Sequence, residues 1–214
     1  MKDDWVEVPA RTRGDRKKRE RDGDDNDNDD GGDEVVYHPP SPQPFQPFVL
    51  ILVGIPGSGK SNFATQLETS MPEKFVRVNQ DTLKTRRKCE AMTLRALAQG
   101  KVAVIDRCNF NIEQRKTWID IARNRHVKCE CVVFQGEVDD CITRCKQRRN
   151  HETVHPSKAA GVVSLVARQF RPPILRGGNN NGGRVECKGG EHFHRLERVS
   201  SFRMANDLVS DYLI

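Results

Sequence analysis

The stretch FVLILVGIPGSGKS, residues 48–61, decides the fold of this chain of 214 residues. Its first six residues, 48–53, form an unbroken apolar run, which is typical of a strand buried on both faces of a parallel sheet. The eight residues GIPGSGKS that follow match the phosphate-binding pattern G-x-x-x-x-G-K-[ST] in full. The order of strand, loop and helix favours a nucleotide-binding loop over a glycine-rich turn that binds nothing.

Each residue type in the loop has a chemical reason. The glycines let the backbone turn tightly, so that its N–H groups can point at phosphate oxygens. Lys60 places a positive charge near the β- and γ-phosphates, and the Ser61 hydroxyl can hold Mg²⁺. The helix that follows adds the positive end of its dipole. We therefore expect a phosphate-bearing ligand and Mg²⁺, with the following residues as contacts: Gly54, Gly57, Ser58, Gly59, Lys60 and Ser61.

Charge is distributed unevenly along the chain. Residues 1–44 carry 8 Lys and Arg against 13 Asp and Glu, whereas residues 45–214 carry 28 against 17. The first segment is predicted to be a disordered tail, because it holds too little apolar surface to offset its ordering entropy. The basic remainder favours polyanionic partners, nucleic acid above all, although a solubilising charge excess explains the same numbers. The RKKR run at 16–19 is either a nuclear import signal or a solvated charge block, so both nucleus and cytoplasm are expected locations.

The composition also limits other classes of function. No apolar run approaches the roughly 20 residues needed to span a bilayer, and the N-terminus has no signal-peptide core, so we expect no membrane association. Seven cysteines in core-like segments suggest a reducing compartment. Cys129 and Cys131 share one face of a predicted strand, and Cys141 and Cys145 share one turn of a predicted helix. Burial as small apolar side chains explains both pairs better than a zinc site.

Predicted strands and helices alternate through residues 45–214. The strands are predicted at 48–53, 74–78, 101–106, 127–134 and 192–199. The helices are predicted at 60–70, 82–99, 111–125, 137–149, 156–170 and 204–213. The GGNNNGG run at 177–183 is interpreted as a low-complexity surface loop. This alternation predicts an α/β fold with a mostly parallel sheet, helices on both faces, and ligands at the carboxyl ends of the strands.

Two carboxylates stand where such strands end. Asp81 follows the second strand, where a carboxylate can accept a hydroxyl proton, although it can also cap the next helix. Asp106 ends the third strand, where it can hold Mg²⁺ through water or orient an acceptor. Arg107 and Asn109 lie beside it in the sequence. These positions predict a site for phosphoryl transfer.

Basic residues flank these carboxylates. Arg144 and Arg148 are four residues apart on a predicted helix, so they share one face and can close over phosphates as a lid. A solvated basic face explains the same spacing. Lys84 begins a second basic cluster, KTRRK at 84–88, which can hold the phosphate backbone of an acceptor.

Four segments together resemble the polynucleotide 5′-hydroxyl kinase family of P-loop kinases: GIPGSGKS, VNQDTL, VAVIDRCNFNIEQR and the pair Arg144 and Arg148. The resemblance covers about residues 48–173, and IDRCNF, NH-x-T at 150–153 and RQFRPP are most similar to the fungal and plant branch. That branch sometimes carries an aprataxin-like histidine-triad domain. The sequence departs from the family at Gln80, where Arg is common, and at Arg107-Cys108, where a small polar pair is common.

The resemblance implies a role for each matched residue. Lys60 and Ser61 bind ATP and Mg²⁺, Asp81 is the general base, Asp106 and Asn109 help to place the acceptor, and Arg148 with Arg144 contacts the phosphates. Residues 45–214 then form a P-loop kinase domain that transfers the γ-phosphoryl group to a hydroxyl, above all the 5′-OH end of DNA or RNA in end repair. A small-molecule kinase and a non-catalytic nucleotide-binding module are the alternatives. The residues expected to carry the site are Lys60, Asp81, Arg144 and Arg148 for catalysis, Lys84, Asp106, Arg107 and Asn109 for the acceptor, and Ser61 and Asp106 for the metal.

The charge asymmetry generates a first prediction. Deleting residues 1–44 removes a net negative segment from a basic body, so nucleic-acid binding should strengthen at low salt and the difference should shrink as salt is added. The melting temperature should stay nearly unchanged, because the segment is predicted to lie outside the folded domain. Calorimetry and a salt series of binding isotherms measure both effects. A large loss of thermal stability would contradict the predicted boundary.

Overall fold

The computed structural model describes residues 45–147, 156–176 and 185–214. Seven strands are found in these residues: β1 Phe48–Val53, β2 Phe75–Asn79, β3 Val102–Asp106, β4 Lys128–Phe134, β5 Val185–Glu186, β6 His192–Phe193 and β7 Arg195–Val199. The helices of the same residues are α1 Lys60–Ser70, α2 Gln80–Leu83, α3 Arg86–Ala98, α4 Ile112–Asn124, α5 Val138–Gln147, α6 Ala159–Gln169 and α7 Phe202–Leu213. A short 3-10 turn, Pro156–Lys158, precedes α6. The predicted tail 1–44 and the predicted loop 177–183 lie outside the described residues.

Five strands form one parallel sheet in the order β2-β3-β1-β4-β7. Every side chain of β1 is buried, and successive residues alternate between the two faces of the sheet. On one face, Val49 and Ile51 pack with residues of α3 and α4, among them Trp118. On the other face, Leu50 and Leu52 pack with residues of α1 and α7. The predicted α/β fold, a parallel sheet covered by helices on both faces, is therefore confirmed.

The predicted helix over 82–99 is wrong in one respect, because it is two helices. Lys84 between them has a positive φ of 66°, which an α-helix cannot contain. Thr85 then caps α3, since its side chain accepts a hydrogen bond from the backbone N–H of Lys88 at 3.3 Å. The capping hydrogen bond of Thr85 therefore starts a new helix, although the apolar pattern of the sequence runs on without a break.

The predicted strand over 192–199 is also two elements. β6 pairs with β5 in a separate antiparallel ribbon, whereas β7 joins the main sheet beside β4. His194 separates them: its N–H donates to the Cys129 carbonyl at 2.7 Å, and its Nδ1 accepts from the Cys129 N–H at 3.1 Å. β5 was not predicted, because a strand of two residues carries no periodic pattern in the sequence.

The cysteines lie where the core needs small apolar side chains. Six of the seven are buried, and Cys108 is half-buried. Cys129 and Cys131 pack in the cluster beneath α3 and α4, and Cys141 and Cys145 pack against α6. The predicted burial of both pairs is confirmed. Within the described residues, no helix is long and apolar enough to cross a membrane.

This burial generates a prediction about thiol reactivity. Burial raises the pKa of Cys129 and Cys131 above the ordinary value, and it raises the pKa of Cys187 to about 11. At about pH 8 the native protein should therefore present one rapidly reacting thiol, Cys108, because only the thiolate attacks a small disulfide reagent.

A spectroscopic thiol titration of native and urea-unfolded protein checks this. All seven thiols should react after unfolding, and Cys108→Ser should remove the fast phase while Cys89→Ser leaves it in place. Three or more fast thiols in the native protein would contradict the burial described here.

Candidate active site

The loop between β1 and α1 forms a cradle of backbone N–H groups. Gly57 has a φ of 84°, and a side chain there would bring its Cβ within 2.4 Å of the Cys141 carbonyl oxygen, so only glycine fits. In the described part of the chain, four donors of the loop have no hydrogen-bond acceptor: the N–H groups of Gly57, Gly59, Lys60 and Ser61. Unpaired N–H groups at the start of a helix are suited to binding a phosphate.

Lys60 lies at the floor of this cradle. Lys60 is buried, with only 6% of its surface exposed. The Nζ ammonium donates to the Ile55 carbonyl at 2.7 Å and to Ser58 Oγ at 3.3 Å, both within the same loop. An ammonium has three donors, so one remains for a ligand. The loop therefore holds a buried positive charge beside its free N–H groups.

Asp106 joins three elements at the carboxyl end of the sheet. Its Oδ1 accepts a hydrogen bond from the Ser61 hydroxyl at 3.1 Å. Its Oδ2 accepts from Asn79 Nδ2 at 2.8 Å and from Arg77 Nε at 2.8 Å, and Arg77 Nη2 lies 2.6 Å away in an ion pair. The residue is 4% exposed. Both oxygens of the Asp106 carboxylate thus accept hydrogen bonds and its charge is paired, which is what permits its burial.

Asn79 connects this carboxylate to Asp81. While its Nδ2 donates to Asp106, its Oδ1 accepts from the backbone N–H groups of Asp81 at 2.7 Å and Thr82 at 3.1 Å. Asn79 is therefore the cap of α2, and the alternative reading of Asp81 as a helix cap is wrong. Among the described residues, no side chain donates a hydrogen bond to the Asp81 carboxylate, which leaves it available to a ligand.

Asp81 lines a cleft of about 370 Å³ on one side of the loop, which we call the carboxylate cleft. Gly59 lines it, and its polar side chains include those of Lys60, Ser61, Asp81, Asp106 and Arg107. Phe110, Val162 and Val166 form an apolar wall. Burial lowers the pKa of the Arg107 guanidinium, and the nearby Cys89 thiol and Asp81 carboxylate act against that shift. Arg107 remains a cation at neutral pH, since its ordinary pKa is far above 7.

A second cleft of about 410 Å³ lies on the other side of the loop, and we call it the aromatic cleft. Its residues include Gly59, Phe134, Glu137, Asp140, Arg144 and Phe202. Arg144 Nη1 donates to the Gly57 carbonyl at 3.2 Å, and its guanidinium lies 5.3 Å from the centre of the Phe202 ring. Gly59 lines both clefts, so the two meet at the phosphate-binding loop.

The structure brings most of the sequence-predicted site residues together and leaves others apart. Lys60, Ser61, Asp81, Asp106 and Arg107 come together in the carboxylate cleft, and Arg144 contacts the loop from the aromatic cleft. Lys84 is exposed and does not line either cleft. Arg148 lies outside the described residues, as does the NH-x-T segment at 150–153.

Asn109 departs from the expectation of a contact with the acceptor. It is fully buried, its Nδ2 donates to the Leu52 carbonyl at 2.8 Å, and its Oδ1 accepts from Trp118 Nε1 at 3.1 Å. Its side chain therefore ties the loop after β3 to β1 and α4. Arg77, Asn79 and Phe202 also belong to the site but were not predicted, because their roles come from contacts with distant parts of the chain.

Comparison with protein families agrees with this geometry. A model described as Zeta toxin matches residues 33–102, and a model described as AAA domain matches residues 84–173. Each match covers less than half of the chain. A crystal structure of a fungal RNA kinase superposes with a TM-score of 0.57 at 19% identity, over 77% of this chain and 42% of that chain. The fold is that of P-loop kinases.

Two curated relatives match parts of the chain. The bifunctional polynucleotide phosphatase/kinase of Schizosaccharomyces pombe is 44% identical over 89 residues, which are 41% of this chain and 21% of the relative. The protein named transcription factor bHLH140 of Arabidopsis thaliana is 32% identical over 136 residues, 61% of this chain and 15% of the relative. The chain thus spans about a fifth or less of these relatives. The predicted resemblance to polynucleotide kinases is confirmed.

The double role of Asn79 generates a prediction with a pH signature. Asn79→Asp keeps a capping oxygen but places a second carboxylate beside Asp106 Oδ2, so one of the two carboxyl groups should have a raised pKa in the folded state. A carboxyl group whose pKa is raised in the folded state destabilises the fold when it is ionised. The destabilisation disappears when the pH is low enough to protonate the group. The stability deficit relative to wild type should therefore be present at neutral pH and shrink as the pH falls toward about 4.

Asn79→Ser is the matched control. It also keeps a capping oxygen and loses the donor to Asp106, but it adds no charge, so its deficit of about 1 kcal/mol should not depend on pH. Urea unfolding of the three proteins at several pH values measures the difference. A deficit of Asn79→Asp that is constant across pH would contradict the close approach of the two side chains.

Proposed function

We propose that this protein is an ATP-dependent kinase that transfers the γ-phosphoryl group of ATP to the 5′-hydroxyl end of DNA or RNA. One observation carries the proposal: the two clefts meet at a phosphate-binding loop, and the free Asp81 carboxylate lies in only one of them. A nucleotide in the aromatic cleft can extend its phosphates over the loop toward the carboxylate cleft. The hydroxyl acceptor then approaches from the opposite side, as an in-line displacement requires.

The loop and the aromatic cleft bind the donor. The exposed ring of Phe202 offers a stacking surface to the nucleobase. The free N–H groups of Gly57, Gly59, Lys60 and Ser61 hold the phosphates. Lys60 contributes its remaining donor and its charge. Arg144 already contacts the loop and can stabilise negative charge on the transferred group, with Arg148 as its proposed partner in the lid.

The carboxylate cleft activates the acceptor. Asp81 accepts the proton of the attacking hydroxyl, because its carboxylate has no protein donor among the described residues. Arg107 supplies positive charge beside the reacting oxygens. The Ser61 hydroxyl and the Asp106 carboxylate, 3.1 Å apart, are the oxygen donors that Mg²⁺ prefers, and they would hold the ion directly or through water. Mg²⁺ neutralises charge on the phosphates when it is bound.

Charge and similarity support a nucleic-acid acceptor. The KTRRK cluster at 84–88 directly follows α2, and its Lys84, Arg86 and Lys88 are exposed, so they can contact a phosphate backbone that leads away from the cleft. The Schizosaccharomyces pombe relative is named a polynucleotide phosphatase/kinase. A kinase for ends of this kind serves nucleic-acid end repair, in the nucleus or in the cytoplasm.

The test separates the base from the donor site. Asp81→Asn keeps the shape of the side chain and removes the carboxylate, so ATP should bind as in wild type while transfer falls by roughly 10²–10⁴-fold. This loss corresponds to about 3–5 kcal/mol of transition-state stabilisation. Lys60→Ala should weaken ATP binding and transfer together, because Lys60 lies beneath the phosphates.

Asp120→Asn is the control, since Asp120 is a partly exposed carboxylate on α4 that pairs with Lys116 away from both clefts. Calorimetry measures ATP affinity, and single-turnover transfer to a 5′-OH oligonucleotide measures the rate. Tight ATP binding by wild type with no transfer to any acceptor would overturn the kinase and favour a nucleotide-binding module. Wild-type transfer by Asp81→Asn would remove Asp81 as the base.

A further inference from the structure

A buried ion pair outside both clefts joins two distant segments of the chain. Arg115 on α4 is 0% exposed and Glu191, after the β5–β6 turn, is 3% exposed. The pair is bidentate: Arg115 Nε donates to Glu191 Oε1 at 2.7 Å, and Nη2 donates to Oε2 at 2.8 Å. The two residues are 76 positions apart in the sequence. Such a geometry is a specific connection between the ribbon and the main domain.

Stability alone is a poor explanation for this pair. Removing two charges from water is costly, and well-packed apolar side chains of similar volume often serve a core equally well. Buried ion pairs have a second use, which is to fix one geometry among several. The other contacts of Arg115 show which part of the molecule the pair holds in place.

The third side-chain nitrogen of Arg115, Nη1, contacts the backbone of the loop after β3. Nη1 donates to the carbonyl of Asn109 at 2.9 Å and to the carbonyl of Arg171 at 2.9 Å. The Arg171 N–H in turn donates to the Phe110 carbonyl at 2.7 Å. The guanidinium thus fixes the backbone on both sides of Phe110, in the loop that carries Arg107 into the carboxylate cleft.

The conformation of this loop has to be held by its surroundings. Asn109 has a φ of 44°, in the left-handed region, which asparagine adopts more readily than most residues other than glycine. Backbone of this kind persists where several contacts determine it, and it is concentrated at functional sites. Asn109 has such contacts through Leu52, Trp118 and Arg115.

The ribbon brings Glu191 to Arg115 through a tight turn. The Cys187 N–H donates to the Glu191 carbonyl at 2.8 Å, which closes the turn. Gly189 lies so close to α4 that a Cβ there would be 2.7 Å from Ile112 Cδ1. The turn is therefore packed against the first residue of the helix that carries Arg115.

We propose that Arg115 and Glu191 are positioning residues for the acceptor, and that the β5–β6 ribbon supports the acceptor side of the site. The proposal rests on the function proposed above. The ion pair holds the loop of Arg107 and Phe110, and among the described residues neither of its side chains is hydrogen-bonded to residues 57–61. Its loss should therefore impair acceptor binding and leave ATP binding in place.

The test uses two variants of the full chain. Arg115→Lys keeps the charge but loses the planar fork, so it cannot hold the carboxylate and both carbonyls together. The double variant Arg115→Met with Glu191→Leu removes both charges and leaves none buried alone, which keeps the fold attainable. Leu208→Ala is the control, because it opens a cavity in the core beneath α7 and lowers stability elsewhere in the domain.

In both variants the KM for a 5′-OH oligonucleotide should rise by about 10- to 100-fold, the effect of a small misplacement at a reacting site. The KM for ATP should change by about twofold at most, since the contacts with the nucleotide are intact. Leu208→Ala should lower the melting temperature without raising the acceptor KM. A double variant with wild-type KM for both substrates would overturn the proposal.

Hydrogen exchange provides a readout that does not need activity. The amides of residues 107–111 should exchange faster in both variants than in wild type, and those of residues 62–67 in the first half of α1 should not. If wild type transfers phosphate to no acceptor, the proposed function fails, yet this exchange pattern still tests whether the pair holds the loop. Unchanged exchange at 107–111 in both variants would overturn the positioning role.

Discussion

The carboxylate of Asp106 is the point at which the two halves of the site are joined. The register of β2 and β3 pairs Asn79 directly with Asp106, and the hydroxyl of Ser61 reaches the same carboxylate from the start of α1. A slip of one residue between these strands would move Asn79 to the other face and separate Asp81 from the loop. The relative positions of the loop, Asp106 and Asp81 therefore follow from the pairing of neighbouring parallel strands.

The phosphate-binding loop separates two environments as well as binding a ligand. Arg144 and Phe202 lie on one side of it and Asp81 on the other, and Gly59 borders both clefts. The sheet brings these groups together because all five strands run parallel and end at one edge. Donor and acceptor can then meet over the loop without sharing a binding surface. The ribbon reaches the acceptor side through Glu191 and Arg115, which holds the carbonyl of Asn109.

Local patterns were sufficient to predict the sheet, the loop and seven residues that line the carboxylate cleft. The apolar run before GIPGSGKS and the polar residues after the next two strands carry that information in short segments. Contacts between distant segments were not predictable in the same way. Nothing near Glu191 or Phe202 in the sequence indicates that they meet Arg115 and Arg144. The burial of Asn109 was not predictable for a related reason, because it depends on hydrogen bonds with Leu52 and Trp118.

The most direct measurement is phosphoryl transfer by wild-type protein from γ-labelled ATP to a panel of acceptors. The panel consists of 5′-OH oligonucleotides of DNA and RNA, the same oligonucleotides with 5′-phosphates, nucleosides and sugars. A kinase built as described should label the 5′-OH oligonucleotides, and a phosphatase should release that label, while the 5′-phosphorylated controls remain unlabelled. Label that appears only in a sugar or a nucleoside, or only as free phosphate, would contradict transfer to a nucleic-acid end.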